Sequence, residues 1–233
     1  MRRAALVIAW LLLAGWAGVA QARPPVVVEL FTSQGCSSCV AADKLLDQMA
    51  DRPGVLALTL PVDYWDYLGW SDTFAKPEFT ARQRAYMQRL ARREVYTPQI
   101  VVNGGSETAG ANQPKIDSLI RQAQRVKTKT PTIRLLRHSR VSVGAGRAPR
   151  GGVDVWLVRY DPRAQEVKVK SGDNRGQTLI QRNVVRDLVR LGGWRGKAKV
   201  YTAPPAGADE GRLKTGIILQ GADGGRILGV LQK

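Results

Sequence analysis

Hydrophobic and polar positions follow two regimes along the chain. Over residues 26–125, short apolar runs alternate with stretches whose apolar residues recur at helical spacing. Val26-Val27-Val28-Glu29-Leu30-Phe31 is a β-branched run of strand length, and after Thr32-Ser33-Gln34-Gly35 the apolar positions Ala42, Leu45, Leu46 and Met49 predict a helix. Arg52-Pro53-Gly54 stops that helix. Residues 55–62 then predict a second strand, parallel to the first because a helix joins them, which makes a βαβ unit. Between Pro77 and Glu94, the residues Phe79, Tyr86, Met87, Leu90 and Ala91 predict an amphipathic helix, with Arg82, Arg89, Arg92 and Arg93 as its solvated face. Gln99-Ile100-Val101-Val102 predicts a short strand closed by an Asn103-Gly104 turn, with a hairpin partner near residues 107–109. Pro114, Ile116, Leu119, Ile120 and Ala123 mark a further helix.

After Lys127-Thr128-Lys129-Thr130-Pro131 the signals become short β-type runs at residues 132–136, 153–160, 166–169, 197–201, 216–219 and 227–231. Sixteen of the 24 glycines follow residue 140, so turns dominate this half. Residues 183–191 fit a helix or a strand, and strand is the preferred reading. The expectation is an α/β domain over residues 23–129, then a β-rich domain over 130–233. The second domain should be an antiparallel sandwich of its own rather than an extension of the first sheet.

The N-terminus carries an address. Arg2 and Arg3 precede residues 4–20, which are 17 residues without a charge, and Ala20-Gln21-Ala22 supplies a small-x-small cleavage pattern. Residues 1–22 are therefore expected to be a signal peptide. The rival reading is a retained anchor, but the run is short against the roughly 20 residues of a spanning helix. Periplasmic or secreted localisation follows as an expectation, with no stable membrane insertion after cleavage.

Charge adds one point. Lys and Arg number 36 against 19 Asp and Glu, a net +17 that falls to +15 when Arg2 and Arg3 leave. Such a surplus attracts anionic partners at long range or simply keeps the chain soluble. No stackable aromatics are interleaved with the basic residues, so a nucleic-acid partner is not expected. Two cysteines and one histidine cannot supply a four-ligand zinc site without carboxylates, and no metal or dissociable cofactor is called for. His138 is expected on a surface turn or strand.

Both cysteines fall in Cys36-Ser37-Ser38-Cys39, directly after a predicted strand and at the start of a predicted helix. Unpaired N–H groups and the positive end of the helix dipole stabilise a thiolate at such a place. Two intervening residues let the second sulfur resolve a mixed disulfide formed on the first. Cys36 is the expected nucleophile and Cys39 the resolver. A disulfide kept only for stability is the bland alternative; bridging so short a loop contributes roughly 2 kcal/mol. Asp63-Tyr64-Trp65-Asp66 follows the second strand on the sheet edge where ligands collect, and either lines a groove for a peptide or small thiol or plugs the interface with the second domain.

With Cys36, Cys39 and Pro98 in place, residues 26–125 resemble the thioredoxin superfamily. The resemblance implies a cis Thr97-Pro98 bond facing the sulfurs, with Thr97 and Pro98 positioning an extended partner. It also implies a buried acid beneath the pair, for which Glu29 is the candidate although it stands one residue out of register. More narrowly, Glu29-Leu30-Phe31-Thr32-Ser33-Gln34-Gly35-Cys36-Ser37-Ser38-Cys39, Val62-Asp63-Tyr64-Trp65-Asp66-Tyr67-Leu68-Gly69-Trp70, Tyr96-Thr97-Pro98-Gln99, Asn174-Arg175-Gly176 and Arg182-Asn183-Val184-Val185-Arg186 resemble a secreted bacterial thioredoxin-like family catalogued as a domain of unknown function. The function these readings imply is an exported thiol-disulfide oxidoreductase acting on a thiol or disulfide protein or a small thiol. The alternative is a non-catalytic binding module of the cell envelope on the same fold. A third class, metal delivery by the cysteine pair, would call for a further ligand.

Overall fold

The computed structural model describes residues 23–207 and 210–233, and the expected signal peptide lies outside the described residues. Strand β1 (Val26–Thr32) leads through a loop and a 3-10 turn at Ser37–Cys39 into α1 (Val40–Met49), which returns the chain to β2 (Val55–Pro61). The two strands pair in parallel from Val26↔Val55 to Thr32↔Pro61, as a helical crossover dictates. Both are buried along their whole length, which is why they read as continuous runs and not as alternating ones. After α2 (Pro77–Arg89), β3 (Gln99–Val102) pairs antiparallel to β1 and turns into β4 (Ser106–Ala109). The turn needs glycine at 104: its φ is +63°, and a Cβ there would stand 2.5 Å from the Gly225 carbonyl oxygen. Helix α3 (Gln113–Arg125) starts on an Asn112 cap, whose side chain accepts from the Lys115 N–H at 3.1 Å.

The second half contributes β5 (Ile133–Leu136), β6 (Arg140–Val143), β7 (Val153–Asp161), β8 (Gln165–Lys168), β9 (Thr178–Gln181), β10 (Val184–Trp194), β11 (Lys199–Thr202), β12 (Lys214–Gly221) and β13 (Ile227–Gln232). Residues 183–191 thus lie mostly in a strand, while β6 and β9 carry signals too short to stand out in the sequence.

The separate sandwich does not form. The principal sheet has eight strands in the order β13-β12-β7-β10-β2-β1-β3-β4, so four strands of the second half extend the first sheet. The join is parallel pairing of β10 with β2 at Val184↔Thr59. Asn183 accepts the Thr59 N–H at 3.1 Å through its carbonyl and donates its side-chain amide to the Ala57 carbonyl at 2.9 Å. The physical reason lies in β2, which is apolar on both faces and would otherwise be a bare sheet edge with unpaired backbone groups. One hydrophobic cluster accordingly crosses the join. Val27, Phe31, Leu56, Leu58 and Leu60 share it with Val158, Tyr160, Val185, Leu188 and Ile218, beneath Phe79 and Tyr86 of α2. On the opposite face α1 and α3 cover β1 to β3, and a three-stranded sheet, β11-β6-β5, covers β7 and β12. The β8–β9 hairpin forms its own small sheet against α1.

Helix α2 corrects one expectation. The sequence pattern places Arg82 on the solvated face, but Phe79, Arg82, Gln83 and Tyr86 form a buried stripe at i, i+3, i+4 and i+7.

Candidate functional site

Because β1 and β2 run parallel and β3 opposes them, the loops after β1 and β2 and the residues before β3 meet at one sheet edge. That edge gathers Cys36 and Cys39, the loop over residues 62–76, and Thr97-Pro98. Cys36 and Cys39 form a disulfide across a Cα separation of 5.4 Å, at the N-terminal end of α1. The Thr97-Pro98 bond is cis, and the Thr97 hydroxyl lies 3.3 Å from Cys36 Sγ. Ser38 Oγ lies 3.3 Å from the same sulfur. Both cysteines are 0% exposed, although Ser37 and Ser38 between them face solvent. Cys36, the expected nucleophile, is therefore covered in the disulfide-bonded chain.

A loop from the second half is tied to the segment that carries Cys36. Asn174, itself fully buried, donates to the Gln34 carbonyl at 2.9 Å and to the Cys36 carbonyl at 3.1 Å. Ser171 donates to the Gly69 carbonyl, and Gly172 packs near Trp70. Residues 169–177 thus form a cap held by the chain's other half.

Behind the disulfide lies a polar cluster with two carboxylates. Asp43 sits four residues after Cys39, on the same face of α1 one turn further along. Burial, reinforced by the charge of Asp72, pushes its carboxyl up to about 7, while contacts with Thr32 and Gln181 offset part of the rise. Gln181 of β9 reaches both Asp43 oxygens at 3.5 Å and accepts from the Gln34 side chain at 3.3 Å. The Gln34 N–H donates to Asp72 at 2.7 Å, as does Phe74 N–H at 2.9 Å. Burial raises Asp72 to about 6 against these backbone bonds. No arginine or lysine side chain bonds to either carboxylate among the described residues.

Glu29 is not part of this cluster. Along β1 it shares a face with Val27 and Phe31, which pack under α2, whereas Val28 and Leu30 pack under α1. Its carboxylate takes the Arg82 guanidinium at 2.6 and 3.2 Å and the Tyr86 hydroxyl. With a side-chain period of two, the one-residue offset from the register that the resemblance implies is enough to place it on the other side of the sheet. Asp63, Tyr64, Trp65 and Asp66, read from the sequence as groove lining or as an interface plug, are all half-buried. Asp63 accepts from the Thr80 hydroxyl at 2.6 Å and Asp66 accepts from the Asp72 N–H at 3.1 Å. Tyr64 and Trp65 pack half-buried against the core under α2, and burial raises the Tyr64 phenol to about 12.

Sequence reading missed Gln34, Asp43, Asp72, Asn174 and Gln181. Asp43 alone left a signal: it is a charge inside the apolar stripe Ala42, Leu45, Leu46 and Met49, one helical turn after a cysteine. Among the described residues no group of three or more His, Cys, Asp or Glu side chains is placed to hold a metal ion. His138 sits exposed in the turn between β5 and β6, in the other half of the chain.

Fold and site together define a mixed α/β protein with a capped Cys-x-x-Cys disulfide at the edge of an eight-stranded sheet. The chain belongs to the family described as Protein of unknown function (DUF1223), which matches residues 27–220. It is similar to the crystal structure of protein AGR_C_4864 from Agrobacterium tumefaciens, with 33% identity and a TM-score of 0.70 over 91% of this chain and 95% of that one. It is also similar in fold to HBP35 of Porphyromonas gingivalis, with 13% identity and a TM-score of 0.59 over 91% of this chain and 75% of that one. No curated protein matches the chain.

Proposed function

We propose that the chain is an exported thiol-disulfide oxidoreductase with a thioredoxin-like first half, and that Cys36 and Cys39 are its exchanging pair. One observation carries the reading: the disulfide opens a helix and has two hydroxyls, from Thr97 and Ser38, 3.3 Å from one of its sulfurs. A disulfide kept for stability alone needs no polar groups aimed at Cys36, whereas a thiolate formed there would be stabilised by both hydroxyls and by the helix end. In the oxidising direction a partner thiolate attacks Cys36 Sγ. The Cys36–Cys39 bond breaks and its electron pair leaves on Cys39, which takes up a proton. A second partner thiolate then displaces Cys36, so the partner departs as a disulfide and two electrons remain on the pair. Asp43, with a carboxyl poised near neutrality one turn from Cys39, is the group suited to hand over that proton. Because both sulfurs are covered, exchange calls for a covering segment to shift, and the loop of residues 169–177, bonded to the Cys36 carbonyl through Asn174, is the segment we propose.

Equilibration of the purified mature chain with glutathione buffers tests this. The expected result is a reversible Cys36–Cys39 couple. Cys39→Ser is expected to accumulate a mixed disulfide at Cys36, and Cys36→Ser to trap far less. A pair that stays oxidised below about −300 mV is a structural disulfide, and the non-catalytic binding module then takes over as the reading.

A further inference from the structure

The outer face of the β11-β6-β5 sheet has a composition that nothing in the thiol reading uses. Its inner face packs on the principal sheet through Ile133, Leu135, Val141, Val143 and Tyr201. By alternation the residues between them point outward. The strand register arranges them in two rows: Arg134, Ser142 and Val200, then Leu136, Arg140 and Thr202. Leu136 is 39% exposed and Val200 51%, both large values for aliphatic side chains. Arg137 stands exposed in the adjoining turn. Neither Arg134, Arg137 nor Arg140 makes an ion pair among the described residues. Around them the sequence has no Asp or Glu from residue 118 to 153, where Lys and Arg number nine, nor from 188 to 208.

We infer that this face docks the protein peripherally on a bilayer surface rich in anionic phospholipid. Guanidiniums on adjacent strands, with no carboxylate in the sequence around them, complement lipid phosphates, and the aliphatic side chains beside them suit the boundary between headgroups and acyl chains. A nucleic acid is a poorer fit, because the one aromatic ring on these strands, Tyr201, faces inward and offers no base a stacking platform. An acidic protein would gain little from Leu136 and Val200, the exposed aliphatic residues on the two outer strands of the face. No helix among the described residues is long and apolar enough to cross a membrane. The inference is independent of the redox reading.

Co-sedimentation of the mature chain with vesicles tests it, using equal parts phosphatidylglycerol and phosphatidylcholine against phosphatidylcholine alone. Each basic side chain near an anionic surface adds about fivefold to partitioning, so Arg134→Gln with Arg140→Gln should reduce it at least tenfold. Arg84→Gln with Arg89→Gln on exposed α2 positions removes the same charge and should change it by less than about threefold, since those residues lie away from the docked face. Leu136→Ser with Val200→Ser should weaken binding while leaving its salt dependence intact. Equal losses from the two arginine pairs would overturn the proposal in favour of net charge alone. Equal binding to both vesicle types, or an unchanged affinity in the serine pair, would also overturn it, the last pointing to an acidic protein partner.

Discussion

Two buried polar clusters lie on opposite faces of the first strands, and they are built by different rules. Under α2, Glu29 meets Arg82, Tyr86 and Gln220: the guanidinium bridges the carboxylate, donates to Gln220 at 3.0 Å and lies over the rings of Tyr86 and Trp156 at 5.2 Å each. Every charge there has its opposite. Under the disulfide, Asp43 and Asp72 have amides and backbone N–H groups for partners but no cation, and both carboxyls stand far above their ordinary range. In a charge-matched cluster the desolvated charges offset one another. An unmatched pair of acids titrates within the physiological range, and perturbed acids beside a reactive group are the usual mark of a site that moves protons. The first cluster ties α2 to β12; the second includes Asp43, one helical turn after Cys39.

Removing the cation should give the largest effect. Arg82→Ala leaves the Glu29 carboxylate buried without a counter-charge, at a cost of about 3–5 kcal/mol in urea unfolding. Glu29→Leu combined with Arg82→Met should recover most of that loss, because a well-packed apolar pair replaces a desolvated ionic one at little net cost. In neither variant should the glutathione equilibrium of the cysteine pair shift, since the network lies across the sheet from α1. A shifted equilibrium would merge the two clusters into one functional unit and end the contrast drawn between them.

The second cluster should announce itself through pH. Asp43 is raised from its ordinary 3.8 to about 7 in the folded chain, so folding favours its protonated form. The stability tied to that proton is fully present below about pH 4 and is lost as pH rises to about 7, a decline on the order of 4 kcal/mol. Asp72 acts with the same sign over a narrower window ending near 6. Asp43→Asn should flatten most of the decline and leave the variant more stable than the parent by about 2 kcal/mol at pH 8, measured by urea unfolding of the oxidised protein. The same change should remove a pH dependence near neutrality from the rate at which Cys39 departs. Parallel stability curves for parent and variant would show that Asp43 is solvated well enough to titrate normally.

The first half was legible because its signals are local. Continuous apolar runs marked β1 and β2, Asn103-Gly104 marked the hairpin, and Cys-x-x-Cys at a strand-to-helix junction marked the site. What escaped depended on pairing between distant segments. Nothing in residues 184–194 says that they will lie beside β2, and a four-residue strand such as β9 has too few alternations to register. Glu29 misled for a related reason: with a side-chain period of two, its face is decided by a single residue of register, which spacing to Cys36 through an irregular loop does not fix. Arg82 read as solvated because charges usually are, although its spacing from Phe79 and Tyr86 placed it in the buried stripe.

Asn174 offers the finest test, because it belongs to neither acid and yet joins the halves at the disulfide. Its amide donates to two carbonyls of the loop carrying Cys36, and Gln177 in turn donates to its side-chain oxygen at 3.2 Å. Asn174→Ala removes these bonds and leaves the Gln34 and Cys36 carbonyls buried, which should cost about 1–2 kcal/mol, less than the loss from Arg82→Ala. If the cap of residues 169–177 controls access, the same variant should reduce faster with dithiothreitol and do so with an unchanged glutathione equilibrium, because only the barrier to reaching Cys36 has fallen. An equilibrium displaced along with the rate would mean that Asn174 tunes the sulfur itself through the Cys36 carbonyl. A rate left as it was would mean that the sulfurs are reached from the side of Ser37 and Ser38, and that the second half secures the loop without guarding it.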